Sequence, residues 1–472
     1  MYLWYNVADR GENMKKNFKF FLALYTAKLA RLALIMLRRN ATFFPGKIAL
    51  KICPDFLGRI GKPEKIIGVT GTNGKTTVSN MIIDALEING YRPVTNRLGA
   101  NVNAGIATSL LSDANIKGNA KSNLAVFEID ERSSIRVYPY LTPTYLVCTN
   151  LFRDSIKRNA HTEYIQGIIN KDLPKSTTLI LNADDLICCG VGSDENKKVY
   201  FGIDKLPTDV DKCINLIQDI RTCPICDTTL VFDYLRYHHI GKAHCPKCGF
   251  KSPDADYLVK NIDTDNMTID VVHNENKDTY SISANGIINI YNTIAAITLL
   301  SEFGLTYDQI EKGLEGSKVV KTRFSEEKVG KVDIIMHLAK GQNPVACSRV
   351  FDYIKSEPGN KAVILNLDDF FDARETSENL TWIYDTDYEF LADDSIKQIV
   401  IGGVRCPDHY LRLLLAGVPK EKIKFTRNEE DTVDLLDLNG IDKVFITYDV
   451  YTIHIANKVK ARLENRLKEE EK

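Results

Sequence analysis

The sequence predicts an α/β protein made of two mainly parallel sheets in succession, with a small cysteine-bearing module inserted into the first. Three observations carry that expectation. Short β-branched runs alternate with segments of helical period from residue 65 to about 215, and again after Arg323. The first run, 65–70, feeds a glycine-rich turn, Gly71-Thr72-Asn73-Gly74, and helical period resumes at once. Between the two halves stand Cys223-Pro-Ile-Cys226 and Cys245-Pro-Lys-Cys248, in the spacing C-x2-C-x18-C-x2-C.

Taken in order, residues 19–36 are apolar, but Lys28 and Arg31 interrupt any span-length run. An amphipathic helix is expected there, packing on the body or resting on a membrane surface. Lys15-Lys16 and the apolar stretch after them also suggest a signal peptide, but no convincing small-residue cleavage site follows. The first strand, 65–70, leads into a helix with Val78, Met81, Ile82, Ala85 and Leu86 on one face and Gly90 as its stop. Further strands are expected at 123–129, 143–149, 177–182 and 198–202, before the cysteine segment 221–253 interrupts the pattern. Residues 257–283 alternate polar and apolar as strands do, and 289–303 reads as a helix stopped by Gly304. After a linker at 316–323 the second unit offers strands at 332–338, 361–367, 397–401 and 442–447, with helices at 344–355, 406–416 and 451–468. The expected domains are an N-terminal helical segment, 1–60, packing on a central unit, 61–318, that carries the insertion 219–254, and a C-terminal unit, 319–472.

Gly74-Lys75-Thr76 at a strand–loop–helix junction has the parts of a phosphate-binding loop. Backbone N–H groups and the helix N-terminus face the anion, Lys75 reaches the β/γ-phosphates, and the Thr76 hydroxyl can ligate Mg2+. Val69 stands where the strict eight-residue pattern has its first glycine, so the motif reads Thr-Gly-Thr-x-Gly-Lys-Thr. Polar residues follow the next strands: Glu128, Asp130-Glu131, Asn150 and Arg153-Asp154. Ligands of open α/β sheets collect at such strand ends, and a carboxylate such as Glu128 can hold a metal ion through oxygen.

The two C-x2-C pairs have the spacing of a four-cysteine zinc ribbon, in which each pair curls two thiolates onto one ion. A redox dithiol would not need two copies. Four thiolates close the coordination sphere, so a zinc ion on Cys223, Cys226, Cys245 and Cys248 would hold structure rather than do chemistry. His238, His239 and His244 read as bystanders, and Cys53, Cys148, Cys188, Cys189, Cys213, Cys347 and Cys406 as small buried side chains. Sixty-one basic against 62 acidic residues give a net charge of −1, so the overall balance does not suggest a polyanion-binding surface and counts against nucleic acid as a partner.

The loop 70–77, Glu128, Asn289-Ile-Tyr-Asn292-Thr-Ile-Ala295-Ala296 and Arg323 together resemble the Mur ligase family, ATP-dependent enzymes that build the peptides of cell-wall precursors. The resemblance implies a P-loop central domain, here with the inserted zinc ribbon, and a C-terminal Rossmann-like α/β domain. It implies ATP on Gly71, Thr72, Asn73, Gly74, Lys75, Thr76 and Thr77, and Mg2+ on Thr76 and Glu128. Asn292 would lie near the adenine, Arg323 at the phosphates or the hinge, and Lys340 and Asn343 would reach in from the C-terminal domain. Lys75, Glu128, Lys340 and Glu375 are the candidate catalytic residues.

Within the family the chain is similar to the MurT-like branch. The ribbon, Thr26-Ala-Lys-Leu-Ala-Arg31, Gly99-Ala-Asn101, Thr149-Asn150-Leu-Phe-Arg153-Asp154, Leu181-Asn182-Ala-Asp184-Asp185 and Trp382-Ile-Tyr-Asp385 carry that likeness. One part of the branch amidates lipid II with ammonia from a glutaminase subunit, to which it lends an aspartate. Here Glu375 takes that place on a longer segment, and Lys340–Asn343 also lie on a longer loop. These departures favour the pseudomurein-type members, which join an amino acid directly to a nucleotide- or lipid-linked precursor; amidation with a glutaminase partner is the alternative. The shared chemistry is activation of a carboxylate by ATP as an acyl phosphate, followed by attack of an amine, in the cytoplasm or peripherally at the inner membrane face. A zinc-ribbon nucleic-acid motor and a non-catalytic ATP-holding scaffold are the readings from other classes.

Overall fold

In the computed structural model, described for residues 11, 13–154, 161–315, 324–367, 380–449 and 451–470, the chain forms two compact units. The first comprises 1–151, 162–212 and 220–319; the second takes 152–161, 213–219 and 320–472.

The first unit is organised by a nine-stranded sheet. Its strands are β1 (Lys65–Thr70), β2 (Val94–Thr95), β3 (Leu124–Glu128), β4 (Tyr145–Cys148), β5 (Thr178–Asn182), β6 (Lys198–Ile203), β9 (Tyr257–Asp263), β10 (Thr268–His273) and β11 (Asn276–Ser281). β7 (Val231–Tyr237) and β8 (Ile240–His244) form a separate hairpin. The sheet order is β11-β10-β9-β6-β5-β4-β1-β3-β2. Pairing is parallel from β2 through β9 and antiparallel in the β9–β10–β11 meander. β1 lies between β3 and β4, so its carboxyl end opens where the chain changes sides of the sheet, the usual ligand crevice of such folds. Ile67 and Val69 of β1 are fully buried, as a central parallel strand requires.

The helix Lys75–Ile88 buries Val78, Met81, Ile82, Ala85 and Leu86, the face its period predicted. It packs against the helices Ile287–Phe303 and Tyr307–Glu315. Gly90, at φ 84°, takes the left-handed conformation that ends it. The helix Ile287–Phe303 is buried from Ile290 through Leu300 and stops at Gly304, φ 106°.

The N-terminal helix Phe18–Met36 departs from the expected amphipathic pattern. Phe20, Ala23, Leu24 and Ala27 are buried against the body, yet Phe18, Leu22, Tyr25, Leu29, Leu32 and Met36 are exposed on the opposite side. The helix is therefore apolar on two faces. Among the described residues no helix is long and apolar enough to cross a membrane.

The second unit has a six-stranded sheet of β12 (Phe324–Val329), β13 (Val332–Leu338), β14 (Lys361–Asn366), β15 (Ile396–Gly402), β16 (Ile423–Thr426) and β17 (Lys443–Tyr448), in the order β12-β13-β17-β14-β15-β16. All pairs but β12–β13 are parallel. One sheet face packs Ile335, Val363 and Ile399 with Phe351 and Tyr388; the other packs Ile334, Ile364 and Val444 with Val459 and Leu463 of the helix Ile453–Glu470. Of the scattered cysteines, Cys189 and Cys213 are only half-buried, while the other five are buried as expected.

Candidate functional site

The glycine-rich turn after β1 is shaped by two left-handed glycines, Gly71 at φ 122° and Gly74 at φ 89°. Neither tolerates a side chain. A Cβ on Gly71 would lie 2.3 Å from Thr149 Oγ1, and one on Gly74 would lie 2.1 Å from Asn292 Oδ1. Asn292 thus reaches the loop from a helix more than two hundred residues away in sequence.

The two residues that follow β4 clamp the loop from its other side. Thr149 donates its hydroxyl to the Asn73 carbonyl at 2.6 Å. Asn150 accepts from the Asn73 N–H at 3.0 Å and donates its amide to the Asn73 carbonyl at 3.0 Å. The Asn150 carbonyl accepts from the Thr72 N–H at 2.8 Å. These contacts fix the loop backbone without using Lys75, Thr76 or Thr77, which open the following helix half-buried.

Lys75 donates to the Gly71 carbonyl and lies 3.0 Å from Glu131 Oε1, with the Glu131 side chain only 3% exposed. Burial by itself would lower the lysine pKa; the carboxylates of Glu131, Glu128 and Asp130 outweigh it and hold Lys75 above its ordinary value. Glu128 ends β3 in register with Val69, next to the loop, and accepts from the Asn101 amide at 2.9 Å. Its backbone is fixed by Asn96, which accepts from the Glu128 N–H at 2.9 Å and donates to its carbonyl at 2.8 Å. Asp130 instead caps a short helical turn, accepting from the N–H groups of Arg132 and Ser133. The result is a cradle of backbone N–H groups and one charged lysine, faced by carboxylates, which suits a polyphosphate carried with a divalent cation.

The four cysteines converge. Their Sγ atoms all lie within 4.8 Å of one another, with Cys223–Cys248 and Cys226–Cys245 both at 3.5 Å. The two knuckles repeat one geometry: Cys223 N–H donates to the Thr228 carbonyl at 2.8 Å, and Cys245 N–H to the Phe250 carbonyl at 2.6 Å. Asp227 (φ 57°) and Gly249 (φ 77°) take the same left-handed turn after each pair. Four thiol sulfurs at this separation fit one tetrahedral thiophilic ion. His238, His239 and His244 stand outside the cluster, and His239 is not idle: its Nε2 lies 3.2 Å from Asp185, both fully buried.

Arg236 of β7, which the sequence reading passed over, ties this module to the sheet. It is 3% exposed, pairs with Asp184 at 3.2 Å and Asp209 at 2.8 Å, and hydrogen-bonds the Tyr291 hydroxyl. Tyr291 donates to Asp184 at 2.7 Å. Burial opposes the arginine's charge, but Tyr291, Asp184 and Asp209 more than offset it. Asp184 therefore meets the module and the Asn292-bearing helix at once, while Asp185 accepts from the Leu151 N–H at 2.7 Å, just after the clamp.

In the second unit Lys340 adopts φ 52° and Gln342 φ 66°, an uncommon backbone state that marks this loop as constrained. Asn343 is buried and caps the helix Pro344–Ser356, accepting from the Ala346 N–H at 2.9 Å. Arg153 lies 2.5 Å from Asp219 and 3.6 Å from Asp385, which joins two of the motifs singled out in the sequence. Arg323 and Glu375 lie outside the described residues.

Residues 69–221 match the model of the Mur ligase middle domain, and residues 340–453 that of the MurT ligase C-terminal domain. The chain is 33% identical over 429 residues to the MurT subunit of the glutamine-hydrolysing lipid II isoglutaminyl synthase of Staphylococcus aureus (strain COL), covering 90% of this chain and 94% of that one. The corresponding subunit of Streptococcus pneumoniae (strain ATCC BAA-255 / R6) is 32% identical over 436 residues, 91% of this chain and 94% of that one. Among solved structures, a pseudomurein peptide ligase type C from Methanothermus fervidus superposes with a TM-score of 0.63 at 21% identity, over 86% of this chain and 80% of the other, a likeness of fold.

Proposed function

Because the chain belongs to the Mur ligase family, in its MurT branch, and is an ATP-dependent ligase, we propose that it joins an amine to a carboxylate of a cell-wall peptide precursor through an acyl phosphate. The observation that carries this reading is the charged Lys75 folded onto a glycine-shaped loop beside Glu131 and Glu128. A carboxylate is a poor electrophile, and phosphorylation supplies its leaving group. Transfer of the γ-phosphoryl group makes the acyl phosphate and ADP; the amine then attacks the carbonyl, and inorganic phosphate departs. Mg2+ would neutralise phosphate charge, held by Thr76 and Glu128. Lys75 would bind the phosphates, Gly71–Thr77 would supply N–H donors, and Asn292, already against Gly74, would face the adenine side. Lys340, Arg323 and Glu375 are assigned to the reaction on sequence likeness. Cys223, Cys226, Cys245 and Cys248 would hold a zinc ion that stiffens the ribbon.

The segments around Lys340 and Glu375 favour a free amino acid as the nucleophile, as in a pseudomurein-type ligase. The second reading, amidation with ammonia from a glutaminase subunit, is favoured by the likeness to MurT over nine-tenths of the chain. The acceptor would be a nucleotide- or lipid-linked peptide in the cytoplasm, met at the inner membrane face if lipid-linked. Phosphate release from ATP, measured with precursor peptides and either amino acids or ammonium salts, tests both. Release and a mass gain with an amino acid alone establish the first reading, and turnover only with ammonium establishes the second. No release with either would overturn the ligase assignment.

A further inference from the structure

Phe18, Leu22, Tyr25, Leu29, Leu32 and Met36, six of the exposed apolar residues of the helix Phe18–Met36, fall at spacings of four, three, four, three and four, and Ile35, also exposed, lies to one side of them. At 100° per residue the six form a single stripe about 80° wide and about 27 Å long. Exposure is high at its ends and centre: Phe18 81%, Leu29 67%, Met36 72%. The buried residues Phe20, Ala23, Leu24 and Ala27 centre on the opposite side, so the stripe is fixed outward. A patch of this kind marks an interaction surface. Charge says which kind. Between Asn13 and Pro54 the chain carries nine lysines and arginines and no aspartate or glutamate, in a protein whose net charge is −1. Lys15, Lys19, Arg38, Arg39, Lys47 and Lys51 are exposed. Lys19 flanks the stripe, where a long basic side chain can reach headgroups while the stripe lies among acyl chains, whereas Lys28 on the other flank donates to the Ala114 carbonyl of the body.

We propose that this face docks the protein on an anionic lipid surface, with the helix lying in the plane of the interface. The buried face holds the helix to the body, so it cannot turn to span the bilayer. A second copy is a poor occupant, because two such segments would bring together the exposed lysines and arginines of each with no acidic residue between 13 and 54 to answer them. The inference deepens the membrane-face location proposed above. It is read without turnover, so its failure and that of the ligase reading are distinguishable.

The test is co-sedimentation of the full chain with phosphatidylcholine vesicles, with and without phosphatidylglycerol. Binding is expected to the anionic vesicles and to be reversed by salt. The triple substitution Leu22→Glu/Leu29→Glu/Leu32→Glu should weaken it by at least ~10-fold. The pair Arg38→Gln/Arg39→Gln, which leaves the apolar stripe untouched, should weaken it by roughly fivefold per charge. A protein that stays in the supernatant, or variants that sediment like the parent, would overturn the proposal. So would a parent that is dimeric by light scattering and becomes monomeric on the triple substitution, which would assign the stripe to a second copy.

Discussion

Lys75 Nζ sits 3.0 Å from Glu131 Oε1, across 56 residues of sequence, in a pocket where the carboxylate is almost fully buried. The loop lysine is thus held by an internal counter-ion and by loop carbonyls. Removing one member of a buried ion pair costs about 3–5 kcal/mol, because the other charge stays behind unpaired.

Glu131→Gln should therefore lower the melting temperature, and Mg·ATP should recover more of that loss than it adds to the parent, since phosphate would replace the missing carboxylate. Equal ATP-induced shifts in parent and variant, measured by differential scanning fluorimetry, would mean that Lys75 does not contact the nucleotide. Lys75→Ala should abolish phosphate release, by two orders of magnitude or more in kcat for a lost phosphate clamp worth ~3 kcal/mol.

Gly74→Ala places a Cβ 2.1 Å from Asn292 Oδ1 on a residue at φ 89°. The left-handed backbone alone costs an alanine about 1–2 kcal/mol, and Asn292 must also move. ATP affinity by calorimetry should fall at least about tenfold. Asn292→Ala/Gly74→Ala should recover part of the stability lost by the single glycine variant, because the clash is removed; no recovery would show that backbone strain dominates.

Cys223→Ser and Cys245→Ser should each release the zinc proposed for the ribbon, read by elemental analysis of the purified protein. Arg236→Met probes the module's attachment separately. It leaves Asp184 and Asp209 buried without their arginine, so a loss of about 3–5 kcal/mol is expected with zinc retained. Loss of zinc in the arginine variant would mean that ribbon and attachment form one cooperative unit.

His409 is fully buried in the second unit, with Nδ1 at 2.5 Å from the Tyr388 hydroxyl. Burial, with a smaller push from Arg405, lowers its pKa from 6.5 to about 4. A histidine depressed on folding binds fewer protons in the native state than in the unfolded one. Its contribution is therefore complete above pH 6.5 and is lost as the pH falls from 6.5 to about 4, up to about 3 kcal/mol. His337, lowered to about 4 by burial, adds in the same direction. Melting temperatures across this window should fall less steeply for His409→Asn, which keeps an acceptor near Tyr388; an unchanged slope would remove His409 from the account.

What could be read along the chain was what short windows encode. The Thr70–Thr77 loop, the buried face of the helix Lys75–Ile88 and the parallel strands β13, β14, β15 and β17 follow from residue order, because periodicity and glycine conformation act within a few residues, whereas the short edge strand β16 did not show in the sequence. β12 escaped because its exposed Glu326, Glu327 and Lys328 give an edge strand no apolar alternation, and pairing with β13 alone decides it. The double-faced N-terminal helix escaped for the converse reason: composition records that Leu24 and Leu29 are both apolar, but only packing decides which of them is covered.

In the sequence Glu131 reads only as one of the polar residues after a strand, without a role, and Arg236 does not stand out at all. Their roles depend on partners 56 and 52 residues away, brought near by the order of strands in the sheet. The sequence by itself determined the fold class, the glycine-rich turn after β1 and the four-cysteine knuckles, since each is local in the chain or set by residue type. Only the tertiary structure decided which carboxylate neutralises Lys75, how the four-cysteine module is fastened, and which side of the first helix faces outward, since a buried charge or apolar face is matched by whatever the fold places against it.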